Sequence, residues 1–130
     1  MDKKIKRLGD AELEIMLAIW GADEPVASNY VLECLRKRRK WTLPAVMTAL
    51  ARLCDKGFVL CDRSTRTNYY TALIAEKDYK ASEGSSFLEK MYGNSLRNLV
   101  TNLYDSKAIG DQDLSELRKM IDELGVEKHD

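Results

Sequence analysis

The chain has 130 residues and no net charge, with 21 Lys and Arg balanced by 21 Asp and Glu. A hydrophobic content of 45% is normal for a globular core, and the length suits one domain or a small domain with an appendage. Two Pro and seven Gly exclude collagen-like and Pro-rich low-complexity classes, and the longest apolar run, Ile15 to Trp20, is far short of the roughly 18 residues a membrane helix needs.

The basic start (Lys3, Lys4, Lys6, Arg7) is not followed by an apolar stretch and cleavage site, so no secretory signal is expected and a cytoplasmic protein is. Cys34, Cys54 and Cys61 form no CxxC pair and are expected as small packed thiols, with Cys54 and Cys61 as neighbours across a helix and a strand. His129 is the lone histidine, and no phosphate-cradling glycine motif occurs. No catalytic constellation, cofactor or metal site is therefore expected. The neutral total hides an asymmetry. Residues 1–73 hold thirteen Lys and Arg against nine Asp and Glu, a balance of +4, and residues 74–130 hold eight against twelve, −4. A basic front half points to a polyanionic partner.

In chain order, Asp10 is the expected cap of a first helix, Ala11 to Trp20, apolar around most of its circumference and hence central. Gly21 ends it, and Glu24-Pro25 forces an extended stretch. Ser28 is expected to cap a second helix, Asn29 to about Arg38, with Val31, Cys34 and Leu35 inward. Five consecutive cations, Arg36 to Lys40, follow. Thr42 caps a third helix that has Pro44 in its first turn and runs to Lys56, where Gly57 stops it. At 100° per residue Val46, Ala49, Leu50 and Leu53 face the core. Pro44, Thr48, Ala51, Arg52 and Asp55 then face outward, flanked by Ala45 and Met47. This outer face is small and lightly charged, as suits a helix lying flush against a shaped partner.

Two β-rich runs, Phe58 to Arg63 and Tyr69 to Leu73, flank the polar turn Ser64–Asn68 and read as a hairpin with Arg63 and Arg66 near its tip. The remainder is helical. One segment runs from Ala75 to about Tyr92, interrupted at Gly84-Ser85-Ser86 and carrying Tyr79, Phe87, Leu88 and Met91. Asn94 then caps Ser95 to Tyr104, with Leu96, Leu99, Val100 and Leu103 inward. The last helix, Gln112 to Leu124, carries an a/d seam of Leu114, Leu117, Ile121 and Leu124.

Three helices followed by a hairpin is the order of a winged helix-turn-helix, in which the third helix enters the major groove and the hairpin is the wing. The expected architecture is mainly α, with a winged DNA-binding domain over 1–74 and a helical dimerisation domain over 75–130. The expected DNA contacts are Arg39, Lys40, Thr42, Pro44, Ala45, Met47, Thr48, Arg52, Arg63 and Arg66. The apolar residues of the acidic half, too few for a separate core, are expected to be covered by a second copy of the chain. A winged helix used only for protein contacts is the rival reading, and retention of the cations argues against it.

The segment Leu8 to Trp20, Trp41-Thr42 with Val46 to Leu53 and Lys56-Gly57, the pair Tyr69-Tyr70, and Phe87-Leu88 through Tyr92-Gly93 to Leu99-Val100 together resemble the penicillinase repressor family of the BlaI/MecI/CopY type. The resemblance implies a homodimeric transcriptional repressor on palindromic operator DNA, with Leu88, Met91, Leu96, Leu99, Leu103, Leu114, Leu117, Ile121 and Leu124 in the dimer contact. It also implies, as in the antibiotic-responsive members, a membrane sensor peptidase as a partner and cleavage at a bond matching Asn102-Leu103. Ala45 stands where the family usually has Thr, preceded by an unusual Pro44, which implies an altered operator preference. The paired CxC motifs of the copper-responsive branch are missing.

Overall fold

The computed structural model describes residues 5–38 and 40–125. Among them the order is α1 (Asp10–Trp20), α2 (Ser28–Leu35), α3 (Leu43–Asp55), β1 (Val59–Asp62), β2 (Tyr69–Ala72), α4 (Glu76–Tyr92), α5 (Leu96–Asp105) and α6 (Asp111–Glu123). Two compact units part at Gly84–Ser85, beyond the expected junction at 74/75.

In the first unit α1 is the central helix, and every position from Ala11 to Trp20 is at least half-buried. Gly9, not Asp10, is its N-cap, and the Gly9 N–H donates to the Glu12 carboxylate at 3.4 Å. A glycine cap supplies no side-chain acceptor, so the helix starts on this reach-back by Glu12. Ala27 rather than Ser28 precedes α2, which ends at Leu35 instead of Arg38. Val31 and Leu35, four residues apart, supply its buried stripe, and Cys34 is exposed rather than inward.

The hairpin is antiparallel, pairing Val59 with Ala72 and Asp62 with Tyr69. Alternation turns Val59 and Tyr70 into the core and Leu60, Tyr69 and Thr71 outward. Val26, in the extended stretch after Pro25, adds a bridge to β2. Its N–H donates to the Tyr70 carbonyl at 3.0 Å, and the Tyr70 N–H donates back at 2.7 Å. The wing is thus tied to the α1–α2 connection.

Tyr79, in the first turns of α4, closes the unit. It is 4% exposed, its ring lies 5.8 Å from Trp20 and 5.9 Å from Phe58, and its hydroxyl accepts from the buried Leu8 N–H at 2.9 Å. Trp20 Nε1 donates to the Ile74 carbonyl at 2.8 Å. Tyr79 is why the first unit reaches past residue 74. Gly84-Ser85-Ser86 does not interrupt α4, since a single helical glycine costs only about 1 kcal/mol.

The second unit is built differently. Gly93 and Asn94 both have positive φ, 54° and 66°, and the Asn94 N–H returns to the Leu88 carbonyl at 3.1 Å. Asn94 is therefore part of the turn, and Ser95 is the cap, accepting from the Asn98 N–H at 3.2 Å. Asn102 donates to the Tyr92 hydroxyl at 3.0 Å, and the Tyr104 hydroxyl donates to Asp111 at 2.6 Å. Neither α5 nor α6 fully buries a single residue. Leu88, Leu99, Val100, Leu103, Leu114 and Leu117 are half-buried. Leu96, expected inward, is exposed, as are Met91, Ile121 and Leu124. One chain alone leaves the upper part of the Leu114–Leu124 seam in water.

Replacing Tyr79 by Phe strips the Leu8 N–H of its acceptor, which should cost about 1–3 kcal/mol. Replacing it by Ala also opens a cavity and should cost about 3–5 kcal/mol. Urea unfolding followed by tryptophan fluorescence checks both the order and the size.

Candidate nucleic-acid interface

The outward face of α3 follows from what its other face buries. Val46, Leu50 and Leu53 are fully buried and Ala49 nearly so, which turns Pro44, Ala45, Met47, Thr48, Ala51 and Arg52 to the surface, all exposed. Thr42 Oγ1 accepts from the Ala45 N–H at 3.3 Å, satisfying one of the first-turn donors, and Pro44 has none to satisfy. At the other end Gly57 has φ of 82°, a conformation glycine adopts freely, and turns the chain into β1.

Two side-chain contacts hold α3 against α1. Trp41 Nε1 donates to Glu14 Oε1 at 3.2 Å just before α3. Lys56, just after it, donates to both oxygens of Glu12 at 2.7 and 2.9 Å. The Lys56 ammonium holds the Glu12 carboxyl below its ordinary value, against the opposing effect of burial and with help from the Gly9 N–H. Lys56 is therefore a fastener of α3 and not a free surface cation.

The wing loop is ordered by its own polar groups. Asp62 accepts from the Ser64 N–H at 2.9 Å, and hydrogen bonding from the Ser64 side chain, then from its N–H, lowers the Asp62 pKa, while the Thr65 hydroxyl donates to the Thr67 carbonyl at 2.7 Å. Arg63 and Arg66 are exposed at this loop, and among the described residues neither forms an ion pair with a carboxylate. The same holds for Lys40 and Arg52. Arg36 instead meets Glu33 at 3.6 Å. Arg39 and His129 lie outside the described residues.

Cys54 and Cys61 are both half-buried against the core. Burial, and then the nearby Cys61, raise the Cys54 pKa, so Cys54 packs as a neutral thiol. Among the described residues no group of His, Cys, Asp and Glu could hold a metal ion. None of the helices described is long and apolar enough to cross a membrane.

The Val26–Tyr70 bridge and the Tyr79 closure escaped sequence reasoning. An isolated valine after Pro25 carries no strand signal, and a lone tyrosine does not announce its hydroxyl's partner.

The first unit is thus a winged helix-turn-helix, with an exposed α3 and a cationic wing that forms no ion pair among the described residues. The chain matches the family model described as Penicillinase repressor over residues 8–123, and it belongs to that family. It is 32% identical to the penicillinase repressor of Bacillus licheniformis over 121 residues, 93% of this chain and 94% of the relative. It is 27% identical to the methicillin resistance regulatory protein MecI of Mammaliicoccus sciuri, covering 93% and 98%. Among solved structures it is similar to the monomeric form of Bacillus licheniformis BlaI in complex with the blaP half-operator. That match has 37% identity and a TM-score of 0.51, covering 60% of this chain and 94% of that one.

Because the Glu12 carboxyl titrates lower folded than unfolded, its ionised form favours the fold. That contribution is complete above the ordinary carboxylate range and fades as pH falls through the folded value. Glu12→Gln removes it, so between about pH 5 and pH 3 the variant should lose stability less steeply than the parent. Urea midpoints measured across that range test the sign.

Proposed function

We propose that the chain is a cytoplasmic transcriptional repressor that binds a palindromic double-stranded operator as a homodimer. The observation that carries this is the α3 surface, exposed and nearly uncharged, with the cations Lys40, Arg52, Arg63 and Arg66 in no ion pair among the described residues. A helix of this kind suits the major groove, and the wing arginines suit the phosphates on either side. Operator binding by the BlaI relative supports the reading. With Arg39 and Thr42, these residues complete the DNA contact.

The dimer is assigned to the second unit, over Leu88, Met91, Leu96, Leu99, Leu103, Leu114, Leu117, Ile121 and Leu124. Its support is that α5 and α6 leave Leu96, Ile121 and Leu124 exposed, a surface that a two-fold partner would bury. The two copies of α3 would then address half-sites spaced by about one turn of the duplex or a multiple of it. Derepression is assigned to cleavage at Asn102-Leu103, prompted by a membrane sensor peptidase. That bond lies within α5, where the Leu103 carbonyl accepts from the Ala108 N–H at 2.9 Å, so α5 must open locally before a protease reaches it.

Mobility shifts with duplex DNA at several salt concentrations test the DNA reading. Binding should weaken steeply with salt, and Arg66→Ala should reduce the log–log slope by about 0.9, one phosphate contact, for specific and random DNA alike. Thr48→Ala should instead change the preferred base at one position in each half-site. A chain that ignores DNA at low salt would support the protein-contact reading and sink this one.

Sedimentation tests the dimer. Leu117→Asp combined with Ile121→Asp places charge in the seam and should yield monomers, as should a chain ending at Asn102. Dimers that persist in both would remove α6 from the interface and cleavage from the induction mechanism.

A further inference from the structure

On the reading that α3 enters the major groove, the chemistry of its outer face indicates what it reads there. Pro44, Met47 and Ala51 follow one another at spacings of three and four, one flank of a helix face, and all are exposed. Met47 keeps 41% of its surface in solvent, and Leu43, just before the stripe, keeps 39%. Ala45 is exposed on the opposite flank. Hydrogen-bonding groups are few in this stretch. Thr42 has its hydroxyl turned back to the Ala45 N–H, Pro44 has no N–H, and only Thr48 and Arg52 remain before Asp55 in the last turn.

The base edges of the major groove present donors, acceptors and a single apolar group, the thymine C5-methyl. Methionine thioether, proline ring and alanine methyl laid against donors and acceptors would leave those groups unpaired in a desolvated contact, which is costly. Laid against methyl groups, the same side chains remove apolar surface from water on both sides. We infer that α3 recognises its half-site chiefly through thymine methyl groups. Met47, flanked by Pro44 and Ala51, is the main specificity-determining residue, and Thr48 and Arg52 read the hydrogen-bonding edges that remain.

The test uses the full chain and a duplex selected from a random pool by mobility shift. Each thymine is then replaced singly by deoxyuridine, which removes the methyl and nothing else. At one or more positions in each half-site, affinity should fall about fourfold, the free energy of burying one methyl-sized group. Random duplexes made with thymine or with uracil should bind alike. Met47→Ala, its fold checked by circular dichroism, should lose the uracil penalty at one of the sensitive positions.

If every uracil duplex binds as tightly as its parent, methyl recognition is wrong while operator binding stands. If Met47→Ala keeps all the penalties, the assignment to Met47 is wrong. If no duplex is selected and random DNA is ignored at low salt, the DNA reading fails and this inference with it.

Discussion

The outward face of α3 depends on one packing constraint. Val46, Leu50 and Leu53 must reach the same core as Ile15, Met16 and Phe58, all of them essentially without solvent contact. Interiors of this density do not let a helix roll by even one residue without opening a void. The rotation of α3, and so the identity of the side chains offered to a partner, is set from behind. The surface residues are then free to vary in chemistry, and they hold neither the Lys nor the Glu that a merely solvated face would carry.

Around that helix the polar contacts act as fasteners at the edges of the unit. Glu12 grips Lys56 beyond the C-terminal end of α3, and Glu14 takes the Trp41 indole before its N-terminal end, so α1 brackets α3 by both termini. Tyr79 does the same for the chain ends of the winged unit, joining Leu8 to the first turns of α4 through one buried hydrogen bond and two ring contacts. Among the described residues the cations of the wing take no part in such pairs. An ion pair within the molecule would have to be broken before a phosphate could be met, so leaving Arg63 and Arg66 unpaired keeps their full electrostatic attraction for a polyanion.

Much of this was legible in the residues. The 3.6-residue period of Val46, Ala49, Leu50 and Leu53, the Thr42 cap and the Gly57 stop place α3 closely, and the two β-rich runs about the polar turn Ser64–Asn68 place the wing. Caps were harder. Gly9 and Ala27 offer no side-chain acceptor, so the neighbouring Asp10 and Ser28 attract the assignment although both are already helical. Asn94 looks like a cap by residue type, but the Gly93-Asn94 turn needs two positive φ angles, and asparagine tolerates one. The extent of the winged unit was hidden because Tyr79 lies in a stretch otherwise rich in charge. The expected DNA contacts rest on the order of elements and the placement of cations, and Arg39 lies outside the described residues.

The two units bury their apolar residues to different extents, and this bears on regulation. The first has a closed core of fifteen buried residues among those described. In the second, α5 and α6 leave Leu114 and Leu117 only half-buried and Ile121 and Leu124 exposed, so its stability in the proposed dimer is tied to the partner and to concentration. A helix that owes its order to a shared interface opens more readily than one held by its own chain. In the proposed dimer Asn102-Leu103 lies in such a helix, while α3 lies in the self-sufficient unit. Loss of α6 would then leave α3 folded and able to touch DNA, but without the second copy that turns a half-site contact into an operator contact. Repression would be released through lost avidity, with the DNA-reading surface intact.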